Sequence, residues 1–174
     1  QTQKNLVDTL TGEKGESLNK MTVSDFRALA EKIANAKGVE AVYPVTVPVT
    51  AGIYVRGKKY KDIQYLGVEV GNDPHVRDRI RITEGNYLSG KPDGLLLHAS
   101  MKDDLGVSLG DAVTVTGSTL FGQALAEQFT VEGFYRSKID LPSIFKAIYA
   151  PLAGYRLISG HYENEVPFLQ VDLA

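Results

Sequence analysis

The sequence predicts an α+β fold, and three of its features point there. One helical stripe is clear, because Phe26, Leu29, Ala30 and Ile33 recur at the spacing of a single α-helical face. Other segments alternate at period two and are rich in β-branched residues, as in Val45, Val47 and Val49 or Leu66, Val68 and Val70. The two kinds of segment do not follow the strand–helix–strand rhythm of a parallel sheet. Short strands mixed with three or four short helices are therefore expected. No internal repeat or low-complexity tract interrupts them.

Taken in order, Leu6, Val7 and Leu10 mark a short helical opening before the polar, turn-rich GEKGESLNK, and this start is weakly specified. Thr22 and Asp25 then have the form of a capping box, and Gly38 supplies a left-handed stop, so a helix is expected over 23–36. Arg27 and Glu31 sit on its polar side at i,i+4. Val39 to Val55 reads as one extended run with Val45, Val47 and Val49 on one face. Pro44 and Pro48 remove amide donors and demote it to an edge or irregular strand. Arg56-Gly57-Lys58-Lys59 makes a hairpin turn, and the chain returns over Ile63–Val70. Asn72-Asp73-Pro74 opens a short helix through Val76 and Ile80, with His75, Arg77, Asp78, Arg79 and Arg81 largely exposed.

The stretch Glu84–Gly117 is the most explicit in the chain. It predicts a turn, a buried strand at Leu95–Leu97 and a short helix closed by Gly106. A tight Gly110-Asp111 turn and an alternating strand through Val113 and Val115 follow. Ser100 with Asp103 fits a second capping box. Strands at Gln128–Phe134 and Ala147–Ala150, a helix at Leu152–Ile158 and a strand at Phe168–Leu173 complete the chain.

With 174 residues, 43% of them hydrophobic and 23% charged, the chain suits one domain or two small lobes around a real core. The net charge is −2 and the pI about 5.9, and no run of the sequence clusters Lys and Arg into a phosphate-binding face. A nucleic-acid partner is therefore not expected. Lys58, Lys59 and Lys61 form a small basic knot, expected to be a solvated turn. With no cysteine, disulfides, thiolate catalysis and cysteine metal sites are excluded. No apolar run reaches the roughly 18 residues needed to span a bilayer, and no secretory leader opens the chain. Because it starts at Gln1 and stops after VPFLQVDLA, it reads as a piece of a longer protein.

Catalytic constellations are sought and not found. His161 lies beside Glu163 and Glu165, but a third metal ligand at a known spacing is missing, so a solvated loop is expected. His98 ends the Leu95–Leu97 strand without an adjoining carboxylate and reads as a packing residue; His75 has no partner in sequence either. Ser100-Met101-Lys102 is one residue short of a Ser-x-x-Lys acyl-transfer motif, and neither a phosphate loop nor a nucleophile elbow is present. The nine tyrosines are scattered rather than interleaved with basic residues. No catalytic residue, cofactor or metal is expected.

What remains is an order of short motifs. Val39-Glu40-Ala41-Val42-Tyr43-Pro44, Leu66-Gly67-Val68 and Glu84-Gly85-Asn86-Tyr87-Leu88 precede Asp104-Leu105-Gly106-Val107-x-x-Gly110-Asp111-x-Val113-x-Val115. Phe129-Thr130-Val131-Glu132-Gly133-Phe134 and Ile148-Tyr149-Ala150-Pro151-Leu152 come after it. This order, over about 22–173, resembles the extracytoplasmic core domain of ABC-transporter permeases of the macrolide-exporter, lipoprotein-releasing and FtsX-like (MacB-like) class. The resemblance implies a mixed α/β porter-like lobe, about 22–70 and 140–174, with a smaller, mostly β lobe inserted at about 71–139. Residues 1–21 would then be a membrane-proximal extension.

By the same resemblance the domain sits between two transmembrane helices, on the extracytoplasmic side of the inner membrane. Its partners are a cytoplasmic ABC ATPase, a second permease copy (identical or not) and a periplasmic adaptor or carrier. It relays ATPase-driven motion to substrate export or release, and helix 23–36 on the Val45–Val49 and Leu66–Val70 strands is the expected lever. Lipoprotein-releasing members recruit a carrier through a hook between the "GD-x-V-x-V" and "F-x-V-x-G" strands. Here that connection, Gly117–Glu127, is short and lacks Pro and Arg, so hook-based recruitment does not carry over. Leu120 and Phe121 are the partner-contact candidates in it, against a simple hairpin tip folded over the core. Gly106, Gly110 and Asp111 are the structural turn positions. The alternatives are a free-standing ligand-binding module on a β-barrel and, last, a hydrolase using His98 or His161.

Overall fold

The computed structural model describes residues 23–118, 122–139, 147–160 and 166–174. Among the described residues, nine strands and four helices are arranged as a closed barrel with a narrow two-stranded arm, and mixed helix and strand content makes the fold α+β. Helix α1 (Phe26–Ala34) leads through Gly38, at φ 85°, into β1 (Val39–Val45). Strand β1 pairs only with the last strand, β9 (Phe168–Leu173), antiparallel, with Val42 opposite Val171. These three elements are the arm.

The barrel comprises β2 (Val49–Val55), β3 (Lys58–Val68), β5 (Gly94–His98), β6 (Ala112–Ser118), β7 (Ala124–Ser137) and β8 (Ala147–Pro151). Its ladder runs β6-β2-β3-β8-β5-β7 and closes because β7 also pairs with β6. Closure leaves these strands no unpaired edge along their paired lengths. The interior is filled by Ile53, Tyr65, Leu95, Leu97, Val115, Phe129 and Ile148, each buried, rather than hollow. Helices α3 (Ala99–Leu105) and α4 (Leu152–Ser159) stop the two sides with Met101 and Leu105 and with Tyr155 and Ile158. Strand β4 (Ile80–Gly85) hangs on the far part of β7 as an outer edge, and helix α2 (Pro74–Arg77) precedes it.

Several sequence expectations are corrected. The run Val39–Val55 is two strands in different sheets, split at residues 46–48. Its second half, β2, lies inside the barrel between β3 and β6 rather than at an edge. Helix α1 is shorter than 23–36, and its N-cap is Asp25, at φ 50° and without a side-chain cap bond; Thr22 of the expected capping box lies outside the described residues. Helix α2 ends at Arg77, and Ile80 begins a strand instead of ending a helix. Helix α3 is capped by His98, whose side chain accepts from the Ser100 amide, and not by Ser100 with Asp103. Strands β2, β3 and β8 lie in one hydrogen-bonded sheet with β4–β7. Residues 1–21 lie outside the described residues.

The hairpin between β2 and β3 follows elementary turn chemistry. Arg56 and Gly57 both have positive φ, 46° and 79°, as a two-residue turn matched to strand twist requires. A bulge follows, where Asp62 is left-handed at φ 57° and the register shifts between Ala51 and Ile53. Lys58, Lys59 and Lys61 are exposed on this hairpin.

Candidate functional site

Several long-range polar contacts join arm to barrel. At the break between β1 and β2, the buried hydroxyl of Thr46 donates to the Gly67 carbonyl oxygen at 3.0 Å and accepts from the Gly67 amide at 2.9 Å. One side chain thereby stands in for a strand neighbour at Gly67. Tyr155 of α4 donates its hydroxyl to the Val47 carbonyl at 2.8 Å, and Asn72 donates to the Val42 carbonyl at 2.9 Å. Arg27 of α1 pairs with Glu69 at 3.2 Å. Phe26, Leu152 and Val166 make a small apolar cluster beneath them, with Val23 and Leu169 packed against it.

The Tyr43 ring stacks on His75 at 4.7 Å with planes 7° apart, so β1 and α2 meet face to face. The imidazole Nδ1 of His75 is buried with no hydrogen-bond partner among the described residues. Burial is the main reason the His75 pKa lies below its ordinary value; Asp73 and Asp172 oppose the shift and Arg79 adds to it. Burial, then the hydrogen bond and charge of Asp172, hold the Tyr43 phenol above its usual value. A cavity of about 200 Å³ opens here, lined by Val45, Leu66, His75, Arg79 and Tyr149 among others. Next to it Asp73, 1% exposed, accepts from Tyr87 and pairs with Arg77 at 3.0 Å, and the Arg77 guanidinium lies 4.0 Å over the Tyr87 ring. The buried carboxylate thus has both a cation and a hydroxyl donor, as burial demands.

The turn residues singled out in sequence gather around a partner that sequence did not reveal. Gly106 closes α3 at φ 64° and Gly110 turns at φ 81°. Asp111 accepts from the Ser108 amide at 3.0 Å. From the distant β2–β3 hairpin, Arg56 reaches both, donating to the Gly106 carbonyl at 3.3 Å and pairing with Asp111 at 3.1 Å. The Gly110 amide and the Asp111 carbonyl bond to Val131, joining the turn to β7.

The other short motifs also meet in pairs. At Glu132 the register between β5 and β7 shifts. Its carbonyl accepts from Asn86, and its carboxylate accepts from the Ser89 amide at 2.8 Å and hydroxyl at 2.5 Å. A Cβ on Gly133 would stand 2.2 Å from the Asn86 oxygen, so only glycine lets these segments approach. Likewise β3 pairs with β8 in parallel, and a Cβ on Gly67 would lie 2.6 Å from Cβ of Tyr155.

Among the histidines, His98 caps α3 and lies edge-on to Tyr135 at 5.3 Å. His161, Glu163 and Glu165, like Leu120 and Phe121, lie outside the described residues. Among the described residues no three His, Asp or Glu side chains are placed to hold a metal ion. No described helix is long and apolar enough to cross a membrane.

No protein-family model matches the chain, and no curated protein matches it. Solved structures do. The extracellular domain of the noncanonic ABC-type transporter YknZ from Gram-positive bacteria superimposes with a TM-score of 0.61 at 16% identity, over 87% of this chain and 73% of that one. The periplasmic region of MacB from Actinobacillus actinomycetemcomitans gives a TM-score of 0.60 at 14% identity, over 89% and 67%. A domain of a putative permease from Porphyromonas gingivalis gives 0.54 at 20% identity, over 88% and 69%. The chain has the fold of the extracytoplasmic domains of MacB-like and YknZ-type ABC permeases.

Proposed function

We propose that this chain is a non-catalytic extracytoplasmic domain of an ABC-transporter permease and relays ATPase-driven motion to the export or release of a substrate. The fold likeness, spread over nearly nine-tenths of the chain, carries this reading. The site geometry supports it. A relay has to pass displacement through packed elements without yielding, and a closed, side-chain-filled barrel is built for that. The arm enters the barrel through Thr46, Asn72, Tyr155 and the Tyr43–His75 stack, so α1 and β1 act on the barrel as a lever. The filled interior also counts against the ligand-binding barrel, which needs a concave apolar pocket. The partners on this reading are a cytoplasmic ATPase, a second permease copy and an envelope adaptor or carrier.

The test uses the full-length permease with its ATPase. This chain has no cysteine, so with any cysteines elsewhere in the permease replaced, single labels can be introduced at the exposed Lys32 and Lys59. Nucleotide should change the spin-label distance between Lys59 positions of two permease copies, while the Lys32–Lys59 distance within one copy holds. No nucleotide-linked displacement between copies, or a native gene without membrane helices on either side of this segment, would end the reading.

A further inference from the structure

The pairing of β4 with β7 creates a feature absent from any single stretch of sequence. Arg81 lies directly opposite Arg136 in the antiparallel ladder. Two residue pairs further out, the Lys138 amide bonds to the Arg79 carbonyl at 2.8 Å and continues the ladder. The Arg79 side chain itself lines the cavity beside His75 and Tyr149. Arg81, Arg136 and Lys138 are exposed, and none has a carboxylate within ion-pair distance among the described residues. The Lys138 ammonium contacts the Arg77 carbonyl at 3.5 Å. Among the described residues the nearby acids are Asp73, buried and paired to Arg77, Asp78 in the exposed turn before β4, and Asp172, which with Arg79 flanks His75.

Like charges set directly across a ladder destabilise it. Charge on β4, an outer strand, would serve to keep the edge from pairing with another chain. Arg136 is on β7, an inner strand of the sheet, so edge protection does not require it. Ile139, 64% exposed, follows Lys138 directly in the chain. Closely spaced cations next to an exposed aliphatic residue fit the boundary between phosphate headgroups and acyl chains. We propose that this edge is a docking face for an anionic membrane surface, with Arg81, Arg136 and Lys138 on lipid phosphates and Ile139 at the acyl boundary. It rests on the preceding reading only in placing a bilayer beside the domain.

The test is flotation of the 174-residue chain with vesicles one-third phosphatidylglycerol in phosphatidylcholine, against vesicles of phosphatidylcholine alone. Binding should require the anionic lipid and weaken with salt. Each cation removed should weaken it about fivefold, so R81S/R136S loses roughly thirtyfold while R81K/R136K keeps its affinity. The melting point of R81S/R136S should hold or rise, since an opposed pair of like charges is gone. Equal binding to both vesicle types would overturn the proposal, as would undiminished binding by R81S/R136S. Aggregation of that variant with vesicle binding intact would mean edge protection only, and tighter binding to a soluble acidic polypeptide than to vesicles would assign the face to a protein. A negative vesicle result leaves the spin-label outcome above as it stands.

Discussion

Barrel and arm are held together on different principles. The barrel's ladder closes on itself around nineteen buried residues, so its elements stabilise one another. The arm is a two-stranded ribbon with one short helix, resting on a cluster of three buried residues to which α4 of the barrel contributes Leu152. An isolated two-stranded sheet is marginal in water at best. The arm's order is therefore borrowed through the seam, and the two parts differ in which interaction, if removed, lets them go. Core volume governs the barrel; a few hydrogen bonds and one ring stack govern the arm.

Three substitutions would break or sharpen that contrast. The largest effect belongs to Phe129→Ala, which empties the barrel where Tyr65 meets the Phe129 ring edge-on at 6.0 Å. It should remove about 3–5 kcal/mol, lowering the melting point by on the order of 10 °C. Loss of β1 and β9 amide protection with barrel amides unmoved would contradict it. Thr46→Val keeps the shape but strands the Gly67 amide and carbonyl, for about 1–3 kcal/mol. Here exchange should accelerate in β1 and β9 first while barrel amides stay protected. A uniform acceleration would show that arm and barrel unfold as one unit.

The smallest effect is a pH dependence. His75 is held below its ordinary pKa in the folded chain, mainly by burial, with Asp73, Asp172 and Arg79 as its charged neighbours. The unfolded chain then takes up that proton first, so stability should fall as pH drops below about 6.5 toward the depressed native value. His75→Phe keeps a ring against Tyr43 and should flatten this slope, read from denaturation midpoints between pH 7 and pH 5. An unchanged slope would place the titration elsewhere.

Local patterns were legible in sequence; pairings between distant segments were not. Strand β5, helix α3, the Gly106 stop, the Gly110-Asp111 turn and β6 follow from apolar runs and turn residues within a few positions of one another. The split of Val39–Val55 was hinted at only by Pro48, which reads equally as an irregular strand, because the break is fixed by Thr46 bonding to Gly67, 21 residues away. Strand β4 was hidden behind the helix signal of Asp73-Pro74, and its identity depends on β7. The same pairing sets Arg81 opposite Arg136, two cations that lie 55 positions apart in the sequence. Arg56 was passed over as a turn residue, since its partners Gly106 and Asp111 lie 50 and 55 positions on.

Strand β7 deserves a last look for its length. Its 14 residues pair in turn with β6, β5 and β4, and at about 3.3 Å per residue they make a rod of roughly 45 Å. The register shift at Glu132 is clamped by Asn86 and Ser89, and the shift against β4 falls at Thr83 of that strand, not on β7. A tug on the cation-bearing end would thus arrive at the Ala124 end along a single covalent span, the way a tie-bar delivers tension across a frame without a joint that could absorb it.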